Sequence, residues 1–351
     1  MKTTSIFCLV QGLGLLLGLT GCKKTPASPQ VTSTGPTVST VVGSGSGFAD
    51  GPVASALFSA PSGVAVDAQG ALYVADYGNS RLRKVLAGQV TTFPSYYLPG
   101  TGIPLFDLIG GVTVDARGTV YVSDRGYTRN VISTVSATGT FSTLAGNGVA
   151  GFADGNGTGV KFNAPVGLAV DGRGVVYVAD SQNHRIRKIT PDGTVSTVAG
   201  TGVAGFADGT SAAQFNLPTG VAVDGQGVVY VADTQNHRIR KITPAGIVTT
   251  LAGNGLAGFT DGSGTGVKLN APLDVAVDGQ GVVYVADSQN HRIRKITSDG
   301  TVSTVAGTGV AADVDGSDKV AAFDTPCGIT VDGQRRIYVA DLGNRIRLIT
   351  P

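Results

Sequence analysis

Three histidines are the side chains of this chain best suited to hold a metal or move a proton: His184, His237 and His291. Each stands in the same triplet: Asn183-His184-Arg185, Asn236-His237-Arg238 and Asn290-His291-Arg292. Each triplet follows an aspartate (Asp180, Asp233 or Asp287) and opens a basic run such as Arg185, Arg187 and Lys188. A second aspartate recurs upstream, in Asp171-Gly172-Arg173-Gly174, Asp224-Gly225-Gln226-Gly227 and Asp278-Gly279-Gln280-Gly281. Taken one unit at a time, this is material for a metal site, a carboxylate pair or a phosphate-binding ring.

The identity of the copies argues for structure instead. Zinc ligands must all lie about 2 Å from one ion, whereas equivalent strands of packed sheets are on the order of 10 Å apart. The histidines are therefore expected to be structural turn residues, with no shared metal and no other cofactor. The Asp-Gly acids suit tight turns, where Asp bonds the backbone and Gly accepts positive φ. Asp180, Asp233 and Asp287 are expected to cap the next turn or meet a nearby Arg. The arginines are expected to lay their stems over apolar surface and pair with these acids. Asp154-Gly155-Asn156-Gly157-Thr158 faintly resembles a calcium loop, but Pro165 stands at the twelfth position, where an acid is needed.

A specific site on a repeated scaffold should use residues that break the repeat. Asp274 stands where the other units have Gly, Cys327 precedes the corresponding Gly328, and Thr219 precedes Gly220. Residues 91–108 replace a repeated Gly-Phe-Ala-Asp link with an insert holding Phe93, Tyr96, Tyr97, Ile103, Leu105 and Phe106. Asp274, Thr219, Cys327, Tyr96 and Tyr97 are the candidate ligand-binding residues, and no catalytic set is assigned. The insert could wall a ligand surface or pack onto its own unit.

The elements that must position these residues follow from the repeat itself. Residues 175–190 return nearly letter for letter at 228–243 and 282–297, with looser copies starting at Leu72 and Ile337 and a worn one at Val120. Tyr73, Tyr121, Tyr177, Tyr230, Tyr284 and Tyr338 mark a register of 48 to 56 residues. Such periodicity decides architecture before any local reading. Each full unit carries four short β signals, clear at 220–223, 228–232, 238–242 and 247–251. Six four-stranded antiparallel units in a ring make a β-propeller. The last unit stops after its third strand, at Arg345-Ile346-Arg347-Leu348-Ile349-Thr350-Pro351. The missing fourth strand stands at the other end: residues 37–43, Thr-Val-Ser-Thr-Val-Val-Gly, match 194–200. The N-terminal strand is expected to complete the last blade and remove the open edges of a linear array.

These residues resemble NHL repeats, through the Asn-His-Arg triplets, the Pro-x-Gly-Val-Ala-Val-Asp entry and the Tyr-Val-Ala-Asp strand. Asn79-Ser80-Arg81 and Asn344-Arg345 depart mildly; Arg125-Gly126-Tyr127-Thr128-Arg129 departs most. The resemblance covers residues 37–351. It implies a six-bladed propeller, and it leaves activity open, since such propellers include protein- and RNA-binding scaffolds, extracellular sensors and an amidating lyase. Six-bladed lactonases and the lyase surround a central metal with several ligands; a lone Asp274 is a thin counterpart. The repeated Phe of the links, with Phe162, Phe215 and Phe323, is expected to plug gaps between blades.

The first residues point to export. Met1-Lys2, an apolar run over 6–17 and Leu19-Thr20-Gly21-Cys22 resemble a lipoprotein signal, with residues 1–21 removed and Cys22 lipidated. Lys23 and Lys24 follow it, so the acidic retention signal for an inner membrane is absent. The expected address is the cell envelope, on the outer membrane if the cell has one. Residues 22–36 are rich in Pro, Ser and Thr and read as a flexible tether. With Cys8 removed and Cys22 acylated, Cys327 is left without a disulfide partner. The 351 residues include 53 Gly, well above the average of about 7%, no Trp, and a net charge of only +2. Nucleic acid is not an expected partner. The sequence therefore predicts a monomeric, membrane-tethered binding module for a protein or glycan, with a channel metalloenzyme of lactonase or lyase type as the alternative.

Overall fold

Short runs such as Val-Tyr-Val-Ala-Asp and Arg-Ile-Arg-Lys-Ile combine β-branched residues with period-two alternation, which suits half-buried strands between Asp-Gly turns. The computed structural model contains such strands throughout, and it describes residues 35–351 apart from 95, 96, 98–101 and 103. Cys22, the lipoprotein signal, most of the tether and Tyr96 lie outside the described residues. No helix among the described residues is long and apolar enough to cross a membrane.

The strands form six antiparallel sheets, the blades. In blade four, Pro218–Val223, Val229–Asp233, Arg238–Ile242 and Val248–Ala252 pair in sequence order. Blade six is built from Pro326–Val331, Ile337–Asp341, Arg345–Thr350 and the N-terminal strand Thr37–Val42. Thr37 faces Thr350 and Val38 faces Ile349. The expected closure is present.

Four blades are wider than the four strands expected. Gly51–Pro52, Gly155–Asn156, Gly262–Ser263 and Gly316–Ser317 each add a two-residue fifth strand at the outer edge. They are contributed by the links, which cover edges that would otherwise offer unpaired backbone groups.

The core lies between blades. One cluster joins Tyr177, Ala179 and Ile186 of blade three to Phe215, Val231 and Ile242 of blade four. The closing layer joins Val42 to Phe58, Val74, Tyr338 and Ile346. Full burial of each such Val, Ile or Phe contributes about 1.5–3 kcal/mol, so stability depends on each blade keeping both neighbours.

Strand order also fixes the two faces. First strands start, second strands end and fourth strands end on the same face. The links and the Asp-x-x-Asn turns therefore share it, and the Asp-Gly turns occupy the other. The closing strand, as a fourth strand, begins on the Asp-Gly face. Gly35 lies there beside Asp318, the link residue that follows the two-residue edge strand Gly316–Ser317.

Candidate functional site

The repeated residues are committed to the scaffold. In blade three Asp180 is fully buried and accepts from Asn163 N at 2.8 Å, Asn183 Nδ2 at 2.8 Å and Arg187 Nη1 at 2.7 Å. Arg187, also fully buried, reaches Asp154 with Nη2 at 2.6 Å and donates to Ala153 O at 2.9 Å. The same two-acid pairing recurs at Arg83, Arg240 and Arg294. Burial pushes Asp180, Asp233 and Asp287 above the usual carboxylate range, against the lowering effect of their Asn, backbone and Arg donors. The expected Asp–Arg pairing is thus present, but deep inside the blade. Asp154 is engaged by Arg187 and Thr197, so the faint calcium pattern serves the blade.

The Asp-Gly acids shape turns as expected. Asp224 Oδ1 accepts Gln226 N and Val228 N at 2.9 Å, and its Oδ2 accepts the Tyr230 hydroxyl at 3.2 Å.

The histidines stitch blades together. His184, His237 and His291 take the left-handed conformation that ends each turn. Their Nδ1 atoms accept backbone N–H groups of the next blade: Leu217 at 3.1 Å, Ala271 at 3.0 Å and Thr325 at 3.2 Å. Asn344 Oδ1 does the same for Ala60 at 2.9 Å. Nδ1 must stay deprotonated to accept, and burial lowers the pKa of His184 and His237. A lowered histidine pKa supports the fold above the unfolded value of about 6.5 and withdraws that support as pH falls below it. Replacing His184 and His237 by Asn should flatten this acid limb in denaturation midpoints measured from pH 7 to 5. An unchanged limb would show that these bonds do not carry it.

The link phenylalanines correct the gap-plugging expectation. Phe58, Phe162, Phe215 and Phe323 are fully buried, but Phe48, Phe152, Phe206 and Phe259 stay 41–45% exposed. Phe206 lies under Arg238 at 3.7 Å and Arg240 at 4.8 Å, a cation–π stack. In blade six Asp313 takes that place and pairs with Arg345 at 3.1 Å.

At the axis the first strands nearly touch. A Cβ on Gly167 would lie 2.3 Å from Thr219 O and 2.9 Å from Gly220 Cα, so only glycine fits at that position of blade three. Asp274 occupies the equivalent place in blade five. Its carboxylate accepts Val275 N at 2.9 Å and Ile329 N at 3.0 Å. Burial with no cation beside it pushes Asp274 up to about 7. A carboxyl raised in this way favours the fold at low pH, and the benefit is lost as pH rises through about 7. Asp274→Gly, which restores the residue of the other blades, should therefore be more stabilising at pH 8 than at pH 5. A gap that grows on acidification would contradict this assignment.

A cavity of about 520 Å³ runs along the axis, and Asp274, Thr219 and Cys327 all line it. Thr219 Oγ1 donates to Leu273 O of the next blade at 2.6 Å, and Cys327 Sγ to Pro61 O at 3.1 Å. Burial pushes the Cys327 thiol up, so it should resist alkylation until the protein unfolds. Rapid labelling of the folded protein would contradict that.

Tyr97 does not join this group. It is half exposed, bridges Pro104, and lines no part of the cavity. The described part of the insert packs as core: Leu105 and Phe106 are buried, Phe93 tilts against Tyr73 at 6.0 Å and Phe106 meets Phe141 at 5.7 Å.

The structure adds Tyr77, Arg125 and Leu342 to the site. Each directly follows a second-strand aspartate, where blades three to five have Ser181, Thr234 and Ser288. Aligning that column was the signal that would have found them.

The NHL repeat model matches residues 58–85, 162–189, 215–242 and 269–296. The Protein SUPPRESSOR OF QUENCHING 1, chloroplastic, of Arabidopsis thaliana is 31% identical over 222 residues, 58% of this chain and 21% of that protein. The chain spans less than a third of the curated relatives it matches. A structural-genomics protein of unknown function from Bacteroides thetaiotaomicron VPI-5482 superposes with a TM-score of 0.71 and 23% identity, covering 90% of this chain and 76% of that one. An auxiliary nutrient binding protein from the same organism gives 0.69 and 17%, over 90% and 76%. The repeats and the blades agree: this chain carries four NHL repeats on a six-bladed β-propeller.

Proposed function

We propose that this chain is a non-enzymatic binding or scaffolding module whose link-bearing face receives an envelope or extracellular protein or glycan. One contrast carries the reading. The acids, arginines and histidines that repeat are bound into the scaffold, whereas Tyr77, Arg125, Asp274 and Leu342, which differ from blade to blade, converge on one cavity. The links leave Val203, Phe206, Leu256 and Phe259 exposed, the apolar character of interaction surfaces. The similar fold of the auxiliary nutrient binding protein supports a binding role.

The reading includes lipidation at Cys22 and an envelope address. Cys22→Ala should abolish incorporation of labelled fatty acid; retained label would refute the anchor.

The binding reading is tested by capture from envelope extracts and glycan arrays. Leu342→Glu, at the mouth, should abolish what the wild type retains. Gln226→Glu, on an exposed turn of the opposite face, should not. The reverse pattern would overturn the proposal.

One observation favours an enzyme instead: Asp274, with a pKa near 7 at the axis, has the range of a general acid or base. A metal there would need further ligands, and the corresponding residues of the other blades are glycine. Stoichiometric metal held by the wild type and lost from Asp274→Gly would select that reading.

A further inference from the structure

Among the cavity-lining residues there is one basic side chain, Arg125, and its setting differs from that of the repeated arginines. Arg83, Arg187, Arg240 and Arg294 each hold two carboxylates. Arg125 holds none among the described residues; its Nε is buried without a hydrogen-bond partner, as are those of Arg240 and Arg294, so the missing carboxylates are what set it apart. Its guanidinium stacks on the Tyr77 ring, 4.9 Å from the centroid. Its stem lies over Gly110, where a Cβ would sit 3.6 Å from Arg125 Cδ. Blade two alone has glycine at that position; the others have Ser62, Val166, Thr219, Leu273 and Cys327. Gly110 presents no side chain to the arginine stem, its tight neighbours being Ser123 Oγ and Pro165 O, and Tyr77 stacks on the guanidinium.

Cations withdrawn from water are normally matched by an anion. The planar guanidinium offers paired N–H donors that fit a carboxylate in two-point fashion. The acid of the cavity, Asp274, belongs to blade five, three blades away, on the opposite wall. Its oxygens are occupied by the backbone N–H groups of Val275 and Ile329. Leu342, Leu273 and Val166 supply apolar wall elsewhere around the same cavity. The volume lies within the range of small-molecule sites, about 300–1,000 Å³.

We propose that the mouth of the channel binds a small organic carboxylate with an apolar body, its carboxylate on Arg125 and its body against Leu342, Leu273 and Val166. This rests on the binding-module reading and names a ligand class for the same site. The carboxylate is a free small acid or the exposed acidic end of a larger partner.

The test is calorimetric titration of the full chain with hydrocinnamate, hydrocinnamamide and inorganic phosphate. The proteins compared are the wild type, Arg125→Met and Arg125→Lys. Hydrocinnamate should bind the wild type at least tenfold more tightly than its amide and more tightly than phosphate. Arg125→Met should weaken the acid at least tenfold, and Arg125→Lys should fall between. Arg125 has no ion pair among the described residues, so the melting temperature of Arg125→Met should match the wild type. If it does not, the acid-to-amide ratio on wild type decides. Equal binding of acid and amide, undiminished binding by Arg125→Met, a preference for phosphate, or no binding of the acid up to about 10 mM would each overturn the proposal. If Leu342→Glu still abolishes capture of a partner while acid and amide bind alike, the binding module stands and the carboxylate assignment falls.

Discussion

Arg240→Met is expected to destabilise the propeller by about 3–5 kcal/mol, the usual cost of removing one partner of a buried ion pair. The guanidinium of Arg240 is fully buried between Asp233, at 2.7 Å, and Asp208, at 2.6 Å. It also donates to Gln214 O at 3.0 Å and Ala207 O at 2.7 Å. One side chain therefore ties the second strand to the link that covers the outer edge. Methionine fills much of the volume but leaves Asp233 in the interior with no cation. A second substitution, Asp233→Asn, removes the stranded charge and should recover part of the loss. Chemical denaturation midpoints check both statements. A loss below about 1 kcal/mol, the range of surface pairs, would show that the pairing is incidental.

Deleting residues 37–42 should have a larger effect and abolish cooperative folding. The strand contributes Val38 and Val42, both buried, to two different interblade layers. Its loss uncovers the edge of Arg345–Thr350 and leaves Phe58, Val74 and Ile346 without part of their cover. A domain of ordinary stability, about 5–15 kcal/mol, has little margin for this. A bare edge also invites pairing between molecules. Sedimentation of the truncated chain should show aggregates, and a peptide of sequence TVSTVV added during refolding should restore monomer by strand addition. A truncated chain that stays monomeric and melts like the wild type would show that the ring closes some other way.

The sequence carried the architecture because the repeat is nearly exact and because its missing strand could be located at the opposite terminus. Strand identity, turn chemistry and closure are all local or periodic signals. The two-residue fifth strands were not legible, since two residues such as Gly155–Asn156 carry no alternation. The double pairing of Arg187 was half legible. Both acids recur, but their sequence does not say that Asp180 lies inside while Asp154 folds back from a link 33 residues away. The histidine bonds were hidden for the same reason, since His184 meets Leu217 across 33 residues. The link phenylalanines were misjudged because arginine stacking holds an aromatic ring at the surface without burying it.

The candidate site was legible where one residue broke the repeat. Asp274, Thr219 and Cys327 do line one cavity, since the first strands bring their entry residues to the axis. Arg125 was visible only as part of a worn copy, and Tyr77 and Leu342 only as a column of unlike residues. Such residues gain meaning once the ring places blades one, two and six around the same opening.

The most direct test of the account is residue-resolved hydrogen exchange on the intact chain, read at the amides of residues 38–42. If the N-terminal strand shuts the ring, its bonded amides exchange as slowly as those of Val229–Asp233 at the centre of blade four. Exchange at the rate of an unprotected peptide, with blade four still protected, would contradict closure and the single mouth that depends on it.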